Sequence, residues 1–275
     1  MWIEETAIDF VRAIGLQEVK DGWRADLPGT VVNDRGDRQV VRVACQGHPE
    51  VAYLKRWRFG PQSPYRFLPG AKALRNRGRS EFQNLGFLLD LGFVVPRPLA
   101  FAEERGMWGP VASILLLENL AGYESCLQWG REHPEGHVLV ATGVAEIMAR
   151  LHNRDIYHRS PSLKHFYLPT GPDAGQFALI DVPRLDRSGS GMLEKARSWL
   201  GGETPCAERD LSKVLLSLRD ELSAGDDIAE AFWTAYLNAR DSVAEPRVLR
   251  ERTSGLVEKR HEARRKRQKR KRQRD

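Results

Sequence analysis

A lysine and a glutamate stand at positions where each needs an oppositely charged partner. In the β-rich run at residues 51–57, alternation places Lys55 on one face with Val51 and Trp57. Glu81 lies on the apolar stripe of the helical stretch that follows, and a buried charge there is costly unless it is paired. A Lys55–Glu81 ion pair would satisfy both, and phosphotransferases use such a pair to hold a lysine against ATP phosphates. A lysine reaching solvent and an exposed helix glutamate remain the alternative.

A second set of polar residues follows the long helix in the middle of the chain. The segment 153–168 resembles the His-Arg-Asp catalytic loop of kinases, with His158-Arg159 at its centre and an apolar strand after His165. A turn then leads to a short apolar run that ends at Asp181. A lone aspartate at a strand end is more often a turn former, but behind this loop a Mg²⁺-binding carboxylate is the favoured interpretation.

Strand patterns dominate the first part of the chain. A short helix is expected at residues 3–14, before β-rich runs near 31–32, 39–45 and 51–57 that predict an antiparallel meander. A helix at 71–91 follows. Two prolines then keep the segment 92–100 extended, and residues 111–117 read as a buried strand.

Helical patterns dominate the remainder, including segments at 211–222 and 228–238. This order predicts an α+β, two-lobed fold. Residues 1–118 would form a small antiparallel-sheet lobe with one helix, and 119–250 an abbreviated, mainly helical lobe carrying the loop. Residues 251–275 would form a basic, disordered tail.

The ordered combination of these segments resembles the lipopolysaccharide kinase (Kdo/WaaP) family, bacterial relatives of protein kinases that phosphorylate inner-core sugars. The resemblance runs from about residue 35 to 240. It is carried by Tyr53-Leu54-Lys55-Arg56, Glu81, the extended segment 91–100, Leu117-Glu118-Asn119-Leu120, His158-Arg159, His165-Phe166, Ile180-Asp181 and Arg209-Asp210-Leu211.

The resemblance implies an ATP- and Mg²⁺-dependent kinase of a small-molecule or lipid-linked sugar. Lys55 would hold ATP phosphates, Glu81 would orient Lys55, and the stretch from Glu118 to Leu120 would be the hinge near adenine. Asp181 would bind Mg²⁺. His165 occupies the place where protein kinases have a metal-binding asparagine, and it is either a second ligand or structural, because imidazole suits Mg²⁺ less well than oxygen does.

Two features depart from the kinase pattern. In the catalytic set His158, Arg159 and Ser160, the serine stands where the family places the catalytic-base aspartate. A general base contributes roughly 10²–10⁴ in rate, but phosphoryl transfer depends largely on positioning and electrostatics. A weakened kinase is therefore expected, and a pseudokinase that binds nucleotide without transferring phosphate is the alternative. The phosphate loop is also poor in glycine, with only Gly36 in a charged hairpin before Lys55. From the start of a later helix, Asp210 would either brace the catalytic loop or be an ordinary aspartate of a first helical turn.

The composition of the chain bears on its cellular location. The longest apolar run falls far short of the roughly 20 residues of a membrane-spanning helix, and the acidic N-terminus is unlike a signal peptide. Three widely spaced cysteines suit neither a disulfide framework nor a zinc site. A cytoplasmic protein is expected.

Charge is concentrated at the C-terminus. The chain carries +6 in total, but residues 259–275 alone carry +9, so the remainder is −3. This tail is expected to contact an anionic membrane surface or nucleic acid. Contact with a membrane would place the protein at the inner face of that membrane as a peripheral protein. It holds no aromatic residue that could stack on a base.

Overall fold

The chain divides into two compact units in the computed structural model. Unit 1 comprises Met1–Ala121 with Asp181–Pro183, and unit 2 comprises Gly122–Ile180 with Arg184–Asp275. The structure describes residues 1–24, 26–45, 51–59, 77–106, 109–170, 175–187 and 206–272. No helix within these ranges is both long enough and apolar enough to cross a membrane.

A six-stranded antiparallel sheet forms the centre of unit 1, in the order β1-β5-β6-β4-β3-β2. Its strands are β1 (Trp2–Ile3), β2 (Gly29–Asp34), β3 (Arg38–Ala44), β4 (Val51–Arg58), β5 (Pro98–Gly106) and β6 (Gly109–Glu118). The predicted meander corresponds to β2, β3 and β4. Because β4 is central, Lys55 lies between Val40 on β3 and Leu115 on β6.

The two faces of this sheet are covered by different helices. One face packs against α1 (Ile8–Ala13), where Phe10 and Val11 join Leu54 in a buried apolar cluster. The other face packs against α2 (Arg77–Asp90). The α2 backbone approaches this face closely, because a Cβ on Gly78 would lie 2.6 Å from Ser113 Oγ. Of the predicted helix at 71–91, residues 71–76 lie outside the described part.

The N-terminal helix is shorter than the sequence predicts. Ile3 belongs to β1, which pairs with β5 through Trp2 opposite Phe101 and Ile3 opposite Ala100. The Glu4 N–H also donates to the carbonyl of Leu99 at 2.9 Å. The helical spacing from Ile3 was misleading because pairing with the sheet edge satisfies these backbone groups, and the α-helix begins only at Ile8.

Unit 2 is mainly helical. Its helices are α3 (Cys126–Glu132), α4 (His137–His152), α5 (Cys206–Leu222), α6 (Asp226–Ala239) and α7 (Pro246–Arg272). Two small sheets accompany them, one with the order β10-β9-β7 and one pairing β11 with β8. Their strands are β7 (Tyr123–Ser125), β8 (Ile156–Tyr157), β9 (Phe166–Pro169), β10 (Ala178–Leu179) and β11 (Asp186–Arg187).

The C-terminal segment forms the helix α7 rather than the expected disordered tail. Thr253 and Val257 are buried where α7 packs along α5. Beyond them, Arg264 on α7 pairs with Asp220 and Glu221 on α5, with N–O distances of 3.0 and 3.4 Å. The acidic residues of α5 relieve the repulsion among the cations of α7, which composition alone could not reveal.

Candidate active site

In unit 1, the predicted Lys55–Glu81 ion pair is present. Lys55 Nζ lies 2.5 Å from Glu81 Oε1; Lys55 is 7% exposed and Glu81 is completely buried. Burial raises the pKa of Glu81, while the charge of Lys55 opposes that shift. The expectation of an inward lysine is therefore confirmed, and the alternative of two solvent-exposed side chains is wrong.

Asp181 joins this pair. Its Oδ1 lies 3.5 Å from Lys55 Nζ and 3.0 Å from Nη2 of Arg38. The backbone of Asp181 is left-handed, with φ of +56°, and Asn84 anchors the next residue by donating to the Val182 carbonyl at 2.7 Å. Such a conformation is disfavoured for a non-glycine residue, so the surrounding contacts must hold it in place. Two carboxylates and two cations thus alternate in one cluster, in which Lys55 and Glu81 are buried while Asp181 and Arg38 are partly exposed.

Arg38 was missed by the sequence analysis, although strand periodicity could have identified it. It lies opposite Trp57 in the β3–β4 register, as Val40 lies opposite Lys55, so all four side chains share one face of the sheet. The turn before Arg38 contains Gly36, whose φ of +75° suits a residue without a side chain.

The expected hinge residues lie at the end of β6. Glu118 is the last residue of this strand, and its N–H donates to the carbonyl of Arg97 at 2.9 Å. The Glu118 side chain faces Arg97 Nε at 3.3 Å and is about half exposed, and Leu120 is partly buried. Contact of this segment with adenine remains a prediction.

In unit 2, the residues of the catalytic loop adopt a constrained conformation. The rings of His158 and His165 are buried and stacked, with centroids 5.6 Å apart. Arg159 is left-handed, with φ of +65°, and its Nε lies 2.7 Å from Asp186 Oδ2. Ser160, the next residue, is exposed to solvent.

Asp210 on α5 supports this loop from below. It is completely buried and accepts a hydrogen bond from the Arg159 N–H at 3.1 Å, so the expectation that Asp210 braces the loop is confirmed. Burial favours a raised pKa for Asp210, but His152, Arg209 and His158 together outweigh burial and lower the pKa. His152 Nε2 lies 3.9 Å from Asp210 Oδ2, and its Nδ1 lies 2.8 Å from the hydroxyl of Tyr236.

The structure also places Lys213 beside the loop, which the sequence analysis missed. Lys213 Nζ donates to the carbonyl of Arg159 and lies 3.4 Å from Ser160 Oγ. Burial, together with the positive charge of Arg260, lowers the pKa of Lys213 to about 8. Its position three residues after Asp210, on the same side of one helix, was the available clue.

Metal-ligating groups are sparse in the described residues, which contain no cluster of three or more histidine, cysteine, aspartate or glutamate side chains. Of the two expected ligands, Asp181 belongs to unit 1 and His165 to unit 2. The carboxylate of Asp181 is a hard oxygen donor of the kind that Mg²⁺ prefers.

Comparisons with known proteins give one family match and one structural likeness. The model of the lipopolysaccharide kinase (Kdo/WaaP) family matches residues 23–199. Among solved structures, "WaaP in complex with acyl carrier protein" is similar, with a TM-score of 0.60 and 18% sequence identity over 93% of this chain and 98% of that one. A search of curated protein sequences gave no match. The likeness to WaaP confirms the expected two-lobed, kinase-like fold.

Proposed function

The chain belongs to the lipopolysaccharide kinase (Kdo/WaaP) family, and we propose that it transfers the γ-phosphate of ATP to a hydroxyl of a lipopolysaccharide core sugar. The observation that carries this proposal is the contact of the buried Lys55–Glu81 pair with the partly exposed Asp181. Phosphoryl transfer needs little covalent help from the protein, so catalysis consists mainly of holding phosphates and reactants in place.

Lys55 is suited to binding ATP phosphates because Glu81 fixes its position while the pair remains buried. Arg38 adds a second cation that faces the same carboxylate, Asp181. A guanidinium presents several donors to phosphate oxygens. Arg38 therefore offsets the shortage of glycine in the phosphate loop that precedes it.

Asp181 would hold Mg²⁺. The rest of the coordination would come from phosphate oxygens and water, as is usual for Mg²⁺ sites with one or two carboxylates. The ion would neutralise charge on the transferring phosphate. We assign His165 to support of the loop rather than to the metal, because its ring is 8% exposed and stacks on His158.

The alternative is a pseudokinase, and the observation that favours it is Ser160. A serine hydroxyl cannot accept the acceptor's proton as a carboxylate does. The pseudokinase would bind ATP through Lys55 and Asp181 but transfer nothing. Phosphate transfer separates the two functions, whereas nucleotide binding does not.

We also propose that the exposed end of α7 rests on an anionic membrane surface. Every residue from 262 to 270 is exposed, and cations surround the helix without any large apolar residue among them. Each lysine or arginine near such a surface contributes about 1 kcal/mol, and a lipid-linked acceptor would lie at that surface. Binding to phosphatidylserine vesicles should be lost on truncation after His261. Binding to RNA but not to vesicles would contradict the membrane proposal.

The kinase proposal is tested by transfer of labelled γ-phosphate from ATP to an inner-core oligosaccharide containing Kdo and heptose. We expect slow transfer by the natural protein and a loss of at least about 10²-fold in Lys55→Met. Lys20→Met is the matched control, because Lys20 is an exposed lysine of the same unit. ATP binding without any transfer, in both the natural protein and Ser160→Asp, would favour the pseudokinase.

A further inference from the structure

The position of the missing catalytic base has an unexpected neighbour. Ser160 is exposed at the centre of the loop, and Lys213 reaches it from α5, with Nζ 3.4 Å from Ser160 Oγ. A hydrogen bond from the Lys213 ammonium to the Arg159 carbonyl fixes the amine at this place. The left-handed backbone of Arg159 is held in turn by Asp210.

We propose that Ser160 and Lys213 form a proton relay that takes the place of the missing carboxylate. The inference rests on the proposed kinase function. Ser160 would contact the acceptor hydroxyl and be the catalytic residue, whereas Lys213 acts through Ser160.

Two protons move along this relay. The acceptor hydroxyl gives its proton to Ser160 Oγ while the Ser160 hydroxyl gives its own proton to the neutral amine of Lys213, which becomes an ammonium. The electron pair left on the acceptor oxygen forms the new bond to the γ-phosphorus. The bond between that phosphorus and the β–γ bridging oxygen breaks, and ADP leaves with those electrons.

The electrostatic surroundings of Lys213 favour the neutral amine that this relay requires. Arg159 from the loop, Arg209 from the same helix and Arg260 from α7 all disfavour its positive charge, and Asp210 acts in the opposite direction. Partial burial acts in the same direction as the three arginines, and together they keep the pKa near 8. A base whose pKa lies near the working pH is the most effective kind.

A second consequence concerns α7. Arg260 lies on α7 between Glu258 and His261, which pair with residues of α5, and its charge lowers the pKa of Lys213. The basic helix thereby contributes to the chemistry of the loop, in addition to any contact that its exposed end makes. Arg260→Gln should raise the apparent pKa of the rate profile.

The test is ADP release from Mg·ATP with the inner-core oligosaccharide, measured from pH 6.5 to 8.5. The rate of ADP release by the natural protein should rise by roughly 20-fold over this pH range as the Lys213 amine loses its proton. The rate should be about 10²-fold lower in both Lys213→Met and Lys213→Arg, because neither side chain accepts a proton, although the guanidinium keeps the charge. Lys164→Met, at an exposed lysine of the same loop, is the control and should keep the natural profile.

Rescue separates a base from a structural support. In Ser160→Asp the carboxylate accepts the proton directly, so the rate should become nearly independent of pH, and adding Lys213→Met should then cost less than about threefold. If Lys213 only stabilises the loop, Lys213→Met would lower the rate by the same factor in the natural protein and in Ser160→Asp. That result would overturn the relay. An unchanged pH profile in Lys213→Met also overturns it.

Failure of the kinase function looks different. If neither the natural protein nor Ser160→Asp releases ADP at any pH, the proposed function fails and the relay fails with it. If the natural protein is active and Lys213→Met is equally active, only the relay fails.

Discussion

Breaking the buried ion pair of unit 1 should reveal how strongly Lys55 and Glu81 depend on each other. Glu81 is completely buried, and the Lys55 side chain is 9% exposed. Removing one partner of a buried pair costs about 3–5 kcal/mol because the other charge remains buried without compensation. Glu81→Gln should lower the free energy of unfolding by about 3 kcal/mol, the lower end of this range, because Asp181 still lies 3.5 Å from Lys55 and partly compensates its charge.

Lys55→Met should be costlier, at about 5 kcal/mol at pH 7, because Glu81 then loses its ion-pair partner and keeps only the longer-range attraction of Arg38 to offset its burial. The variant carrying both substitutions should lose no more than Lys55→Met alone, which corresponds to a coupling free energy of about 3 kcal/mol. Urea unfolding followed by tryptophan fluorescence measures all three. If the loss in the double variant equals the sum of the two single losses within about 0.5 kcal/mol, the mutual dependence of Lys55 and Glu81 is refuted. An exposed pair, Arg247 with Glu251, is the control and should show almost no coupling.

The pH dependence of Lys55→Met supplies a second check on the same reasoning. Burial raises the pKa of Glu81 above its ordinary value of 4.5, and without Lys55 the charge of Arg38 is left to oppose this effect. A raised carboxyl pKa favours the folded state at low pH and penalises it as the pH rises through the folded-state pKa. The stability deficit of Lys55→Met relative to the natural protein should therefore shrink between pH 7 and pH 4.5. A constant deficit would mean that losing Lys55 does not raise the pKa of Glu81 any further.

Three further outcomes are expected. Gly78→Ala should lower the unfolding free energy by about 1–3 kcal/mol, because its Cβ would lie 2.6 Å from a buried hydroxyl, whereas Gly86→Ala in the same helix has open space and should stabilise by about 0.5–1 kcal/mol. Burial lowers the pKa of His152 below 6.5, so the natural protein should lose stability as the pH falls from 6.5, by up to about 1.4 kcal/mol per pH unit, and His152→Gln should flatten this dependence. Val257→Ala should cost about 1–2 kcal/mol where α7 packs on α5, while Gly255→Ala, with open space around it, should raise helix stability.

Each outcome has a contradicting result. Equal effects of the two alanine substitutions in α2 would mean that the helix does not approach the sheet closely. An unchanged pH dependence after the histidine substitution would assign the acid sensitivity to other groups. A valine substitution in α7 without any effect on urea unfolding would mean that this helix does not pack on the body of the protein.

Strong periodicity explains what could be predicted from the sequence. Alternation in β4 gave the direction of Lys55, and the apolar stripe of α2 gave the burial of Glu81. Both follow from one element at a time, so no knowledge of the tertiary arrangement was needed. The contact between Asp210 and the loop was anticipated from the family resemblance rather than from periodicity.

Features that depend on a distant partner could not be predicted in this way. The two residues of β1 carry no pattern of their own and become a strand because β5 offers an edge. Helix α7 has few apolar residues, and its contacts with α5 are largely ionic. Arg38 and Lys213 look like ordinary surface cations until the fold brings each beside a carboxylate or a hydroxyl.

The central claim is that this chain moves phosphate from ATP to a sugar, and mass spectrometry of the acceptor tests it most directly. The inner-core oligosaccharide is incubated with Mg·ATP and either the natural protein or Asp181→Asn, which retains the size of the side chain but loses its charge. The account predicts an acceptor that gains one phosphate with the natural protein and no detectable gain with Asp181→Asn. An acceptor that stays unmodified with the natural protein, or is modified equally by both, would contradict it.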